Sequence, residues 1–254
     1  MLYIKIMYDK KTPQNEKSQQ DFSRLEDLSK LTGELAHELK NPLSSIKVNL
    51  KLIGEELESI ASQGQQAGYS LTRAQRKLSV VTQETERLER ILDGFLRYVG
   101  KGRLSLGEVD INELIGDMVD FYMPQAQSRS VTIRHFLSKE PLVCKADFAM
   151  LKQVVLNLFI NAQQAMPQGG ELMVRTQKSG SNAQMQISDT GCGIEPEKLK
   201  KLFTPFVSSK TNGSGLGLAM VKRIIDQHNG SIAVASEQDK GTSFTIEIPL
   251  KQNV

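Results

Sequence analysis

Five apolar residues, Ile46, Leu50, Ile53, Leu57 and Ile60, follow one another at steps of 4, 3, 4 and 3, and no other feature constrains the chain as much. Only a helix wound to about 3.5 residues per turn keeps such residues in one stripe, so this segment reads as a coiled-coil helix. Leu25, Leu28, Leu31, Leu35 and Leu39 lead into it. After a polar, glycine-containing connection at 61–70, the same alternation returns in Ala74, Leu78, Val81, Thr85, Leu88, Leu92, Phe95 and Val99. Two heptad helices joined by a short loop predict an antiparallel hairpin over 21–100. One hairpin with a narrow apolar stripe has too little core to stand alone, and pairing two of them into a four-helix bundle buries both stripes. A homodimer is therefore expected.

The heptads stop at GKGR, 100–103, which reads as a linker, and the texture beyond it is mixed α and β. Asp110 is placed to cap a helix carrying Leu114, Met118 and Phe121, and Asp147 opens another that reaches about Met166. Strand patterns recur at 131–137, 142–145, 171–176, 184–188, 231–235 and 243–248, with a further helix near 216–228. The fold class expected is α+β: the helical hairpin, then an α/β sandwich over 104–252 with one sheet and helices on one face. Residues 1–20 alternate briefly at Leu2, Ile4 and Ile6 and then turn polar, which reads as an N-terminal tail or linker, or as a strand left from an upstream module.

Several function classes fall away. With 32 basic and 29 acidic residues, the net charge of +3 does not describe a protein that coats nucleic acid. The longest uncharged stretch, 153–170, contains Asn157, Asn161, Gln163, Gln164 and Gln168, so no membrane insertion is expected. Two cysteines, Cys144 and Cys192, cannot build a disulfide framework, and a cytoplasmic protein with reduced thiols is the expectation.

His37 carries the first chemical signal. Leu35 belongs to the seam, and two further residues at ~100° each turn His37 away from it toward solvent. Glu38 follows it directly, Asn41 lies one turn on along the same face, and Pro42 interrupts the helix's hydrogen bonding just beyond. An exposed neutral imidazole is a nucleophile, and an adjacent carboxylate can take or orient its second ring proton. A bare helical histidine with no role is the alternative.

Four further segments assemble a nucleotide pocket. Asn157 and Asn161 are one helical turn apart, so their amide oxygens can hold a hard cation such as Mg²⁺ together with phosphate oxygens; a solvated polar face is the alternative. Asp189 ends a strand and can accept the amine of adenine, while Gly191 and Gly193 leave room for a flat ring, or simply form a tight turn. Phe203 and Phe206 flank a turn before Lys210, a charge for phosphate. Gly213, Gly215 and Gly217 lead into a helix N-terminus, where backbone N–H groups and the positive dipole end favour phosphate. Each piece alone is weak, and the four in this order are not.

In these motifs the chain resembles the two-component sensor histidine kinases. HELKNPL at 37–43 is similar to their phosphoacceptor box, and NLFINA at 157–162, DTGCGI at 189–194, FTPF at 203–206 and GSGLGL at 213–218 to the boxes of their ATP domain. NAQQAMPQGG and the brief segment TPFVSSKTNGSGLGL resemble the nitrogen-regulation type most. The resemblance implies a dimerisation and phosphotransfer hairpin followed by a Bergerat-type ATP domain. It implies that His37 is phosphorylated, that Glu38 is its general base, and that Asn161, assisted by Asn157, holds Mg²⁺. Asp189 would then read adenine, with Gly191, Gly193, Lys210, Gly213, Gly215 and Gly217 around the ATP. Asn41 matches the position that orients water in members with phosphatase activity. The partner implied is the receiver domain of a response regulator, with the input signal coming from a separate sensory protein or an upstream piece.

Two other readings stand beside this one. An ATPase of the same superfamily would carry Glu one turn before the metal-binding Asn; Asn157, a poor base, occupies that place. A dimeric scaffold that docks receivers without turning over ATP would not need His37, Asn161, Asp189 and the glycines together. His228, followed by Asn229 and Gly230, reads as a helix C-terminal signal.

Overall fold

The computed structural model describes residues 4–7, 17–62, 67–100, 104–207 and 215–251. The chain divides into two compact units, one of Pro13–Gly100 with Lys210–Leu216, the other of Lys101–Ser209 and Gly217–Val254 together with Met1–Thr12.

The first unit is the hairpin. Helix α1 spans Lys17–Ser62 and α2 spans Ala67–Val99, so both helices reach further into the expected connection than the heptads alone require. Helix α1 continues through Pro42, whose ring is buried. Leu35, Ala74 and Ile91 are buried between the helices, and Glu56, itself 9% exposed, ties α1 to Arg73 and Lys77 of α2 at 3.1 and 3.0 Å. Other apolar residues of the two helices are only partly covered or exposed. Leu43, Leu50 and Leu57 on α1, and Leu71, Leu78 and Leu92 on α2, are each 45–55% exposed.

The second unit is an α/β sandwich. Its main sheet takes β1 (Ile4–Met7), β3 (Val131–Phe136), β5 (Gly170–Ser179), β6 (Asn182–Asp189), β7 (Ser231–Glu237) and β8 (Gly241–Pro249) in the order β1-β7-β8-β6-β5-β3. All pairs are antiparallel except β3 with β5. A second, two-stranded sheet pairs β2 (Gly107–Asp110) with β4 (Val143–Ala146), where the sequence predicts one sheet. Residues 4–7, read from sequence as part of a tail or linker, add a strand to the outer edge of β7.

Strand alternation decides which face is covered. On β6, Ala183, Met185 and Ile187 are buried while Gln184, Gln186 and Ser188 are half-exposed on the other face. Helices α3 (Ile111–Ser128), α4 (Phe148–Ala165) and α6 (Gly217–Gln227) cover the apolar face, and a short α5 (Pro196–Leu199) follows the β6 loop. Helix α4 is central: Leu151, Val154, Val155, Leu158, Phe159 and Ala162 are buried. Burial of each large side chain is worth about 1.5–3 kcal/mol, which makes α4 a rigid platform for whatever its outer face carries.

Caps set the helix starts. The Asp110 carboxylate accepts from Asn112 N at 2.8 Å and from Leu142 N at 3.2 Å, so one side chain starts α3 and holds the approach to β4. Asp147 accepts from Met150 N at 3.1 Å and from Ser105 N at 2.8 Å.

Candidate functional site

The two units carry two sets of groups. On α1, the sequence places His37, Glu38 and Asn41 on one helical face; His37 and Asn41 are exposed and Glu38 is half-buried. The carboxylate of Glu38 faces Arg87 of α2 at 3.9 Å, and Arg87 faces Glu84 at 3.7 Å. Ser44 Oγ donates to Lys40 O at 2.8 Å and Asn49 Nδ2 to Ser45 O at 2.9 Å, so side chains bind backbone carbonyls on both sides of the Pro42 turn. Arg87 and Glu84 were not singled out from sequence, because polar positions of a heptad helix look alike until its register against α1 is known.

In the sandwich, α4 presents Asn157 and Asn161, both half-buried, along the edge of its buried face. Asn157 Nδ2 donates to Gly217 O, at the start of α6, at 3.4 Å. That orientation spends the amide's donor on the backbone and leaves Oδ1, an oxygen acceptor, as the group it offers elsewhere. Asp189 ends β6 half-buried and accepts from Gly191 N at 2.9 Å, which closes the loop that follows.

The glycines of that loop fit the tight-turn alternative. A Cβ on Gly191 would stand 2.6 Å from Ala165 O, and one on Gly193 would stand 2.1 Å from Glu237 O. The space is taken by the protein itself: Cys192 N donates to Ala165 O at 3.1 Å and Asp239 N to Cys192 O at 2.8 Å. The loop that follows Asp189 is clipped between the end of α4 and the β7–β8 turn. Gly241, overlooked in the sequence, fits equally tightly, with Asp189 O 1.9 Å from where its Cβ would be.

Phe203 and Phe206 are half-buried in the turns after α5, and Phe206 holds φ +59, a left-handed conformation rare for a bulky residue. Gly215 has φ +66, and Gly217 begins α6 beside Asn157. Lys210 and Gly213 lie outside the described residues. Among the described residues no cluster of three or more His, Cys, Asp or Glu is placed to hold a metal. An amide oxygen pair suits a cation that keeps water and ligand oxygens around it better than one needing a full protein cage. Among the described residues no helix is long and apolar enough to cross a membrane.

The cysteines differ. Cys144 is buried on β4, and burial, reinforced by the Asp110 carboxylate, pushes its thiol up to about 11, whereas Cys192 is exposed.

Comparison with known proteins agrees with this layout. Residues 27–99 match the His Kinase A (phospho-acceptor) domain, and residues 146–252 match the histidine kinase-, DNA gyrase B- and HSP90-like ATPase family. Sensor histidine kinase ZraS of Escherichia coli is 36% identical over 223 residues, covering 88% of this chain and 46% of that protein. Sporulation kinase D of Bacillus subtilis is 32% identical over 254 residues, covering 98% of this chain and 48% of that protein. The chain thus spans about half the length of these relatives. Among solved structures, histidine kinase ThkA in complex with response regulator protein TrrA is similar over 92% of this chain and 65% of that one, with 25% identity and a TM-score of 0.70. A phospho-acceptor hairpin followed by an ATPase-type sandwich, in this order and with relatives of this kind, means that the chain belongs to the sensor histidine kinases.

Proposed function

We propose that the chain is an ATP-dependent protein-histidine kinase that phosphorylates its own His37 and passes the phosphoryl group to an aspartate of a response-regulator receiver domain. The observation that supports this is that one chain carries both an exposed His37 followed by Glu38 on the hairpin and, in its other unit, the Asn157, Asn161 and Asp189 set held by α4 and β6. One imidazole nitrogen attacks the γ-phosphorus as the bond to ADP breaks. Glu38 accepts the proton from the other ring nitrogen. Asn157 and Asn161 supply oxygen donors that fit Mg²⁺, which when bound neutralises phosphate charge. Asp189 accepts the adenine amine, and the backbone N–H groups near Gly215 and Gly217 face the phosphates. Such a site works mainly by positioning and charge neutralisation. Asn41 is placed to orient a water for the reverse function, dephosphorylation of the regulator.

A homodimer is part of the proposal, because the exposed stripe of Leu43, Leu50, Leu57, Leu71, Leu78 and Leu92 needs a cover that a second hairpin supplies. ThkA, solved with its response regulator TrrA, supports a receiver as the partner class. A supply of ATP places the reaction in the cytoplasm.

Incubation with γ-labelled ATP and Mg²⁺ tests the reading. Acid-labile, alkali-stable label is expected on the parent chain and none on His37→Gln or Asn161→Ala. Label persisting on His37→Gln overturns the assignment, and rapid free phosphate without labelled protein favours an ATPase.

A further inference from the structure

On α2, next to the face that carries His37 and Glu38, one guanidinium stands between two carboxylates. Arg87 Nη2 is 3.9 Å from Glu38 Oε2 on α1, and Arg87 Nη1 is 3.7 Å from Glu84 Oε2 one turn back on α2. A closed ion pair with hydrogen bonds brings N and O to about 2.7–2.9 Å, so the guanidinium is shared and closed onto neither. All three side chains are largely withdrawn from water, at 26% exposure for Arg87, 30% for Glu38 and 23% for Glu84. Glu84 Oε2 is sealed from solvent and has no hydrogen-bond partner among the described residues, although a buried carboxylate oxygen ordinarily has one. It is an acceptor with its donor close by and not yet engaged.

We propose that Arg87 is a positioning residue for phosphorylation of His37: it holds the Glu38 carboxylate away from the imidazole, and Glu84 is the second seat that takes the guanidinium when Glu38 turns to the histidine. This rests on the reading of His37 as phosphoacceptor and Glu38 as its base. In the step itself the N–P bond forms, the P–O bond to ADP breaks with its electron pair leaving on ADP, and the second ring nitrogen's proton moves to a Glu38 oxygen. A Glu38 oxygen held toward Arg87 is turned aside from the ring it has to serve. The exchange of partners costs no net charge, because one carboxylate replaces the other. It needs no backbone movement, because Glu84 and Arg87 are neighbours at i and i+3.

The two amide variants Arg87→Gln and Glu84→Gln keep the side-chain stems and separate this role from a merely structural one. Initial rates of labelling of the full chain by γ-labelled ATP with Mg²⁺, measured across ATP concentration, should rise about 3–10-fold in maximal rate for Arg87→Gln. They should fall by a similar factor for Glu84→Gln, where the guanidinium is left to Glu38 alone. The KM for ATP should not move in either, and Arg87→Lys should return the rate toward the parent's. Changes of the same sign in both variants, or no change in either, while His37→Gln abolishes and Glu38→Gln lowers labelling, overturn the proposal and leave the kinase reading standing. An unlabelled parent, or label on His37→Gln, overturns both.

Discussion

The backbone N–H of Asp147 donates to Nε2 of His228 at 2.9 Å, across 81 residues of sequence. The other ring nitrogen, Nδ1, lies 2.8 Å from Ile224 O, and since Nε2 is the acceptor, Nδ1 is the donor. One neutral imidazole thus joins the N-cap of α4 to the last turn of α6. It braces the two helices that carry Asn157 and Gly217: the sequence signal does end α6 at Gln227, with Asn229 at φ +56, and the buried ring serves as a strut as well.

His228→Ala is expected to lower the stability of the sandwich by about 1–3 kcal/mol, since the Asp147 N–H is left buried without an acceptor. Urea denaturation followed by far-UV circular dichroism measures it. An unchanged midpoint would show that water or a backbone shift replaces the ring.

The Asp147 carboxyl should make the same unit sensitive to acid. Burial pulls its pKa up, but hydrogen bonds from the backbone N–H groups of Met150, Ser105 and Ala149 outweigh that, and the net shift is down from 3.8. A carboxyl whose folded pKa is lowered contributes stability that is complete above its unfolded value and is lost as pH falls through the folded one. Asp147→Asn should therefore cost stability at pH 6, and the gap to the parent should narrow below about pH 3.8. A gap that stays constant across that range would mean the carboxyl acts only as a neutral cap.

Nucleotide binding should depend on Asp189 more than on its neighbours in the loop. Asp189→Ala should weaken binding of a fluorescent ATP analogue by roughly tenfold or more, the scale of a lost hydrogen bond to a charged acceptor. Gly193→Ala should weaken it too, and should also lower stability, because the methyl would meet Glu237 O and the backbone has φ +67. Titration and thermal melts together separate the two effects.

The exposed stripe gives a test of assembly. Leu50→Glu combined with Leu78→Glu places charge where both residues are more than half exposed in the single hairpin. Light scattering should show a dimer for the parent and a monomer for the double variant, with the sandwich still folded. A parent mass that stays monomeric at every concentration would defeat the four-helix bundle.

The thiols offer a check that needs no mutation. At neutral pH, N-ethylmaleimide should add once to the folded chain, at Cys192, with Cys144 reacting only on unfolding.

What could be read beforehand followed the range of the interaction. The hairpin shows in the sequence because heptads at 46–60 and 74–99 repeat locally, and Asp110 and Asp147 announce helices through bonds to residues two and three positions on. Strands β5 to β8 show through alternation. Strand β2, GEVD, does not, since glycine and aspartate disfavour strands and its partner β4 lies more than thirty residues away. Asn157, Asn161 and Asp189 stand out as polar residues in apolar company. The bracing partner of Asn157 is a backbone carbonyl 60 residues on, and Arg87 gains meaning only from the register of α2 against α1, which spacing alone does not fix.

Strand β1 has a mechanical consequence. Because Ile4–Met7 pair with Ser236–Ala233 at the rim of the sheet, the sandwich is discontinuous in sequence and the hairpin is an excursion from it. Tension arriving along the chain from ahead of Ile4 is therefore borne by a four-residue seam before it reaches α1. Below the rupture force of that seam, a pull from that side is diverted into the sandwich and does not reach α1.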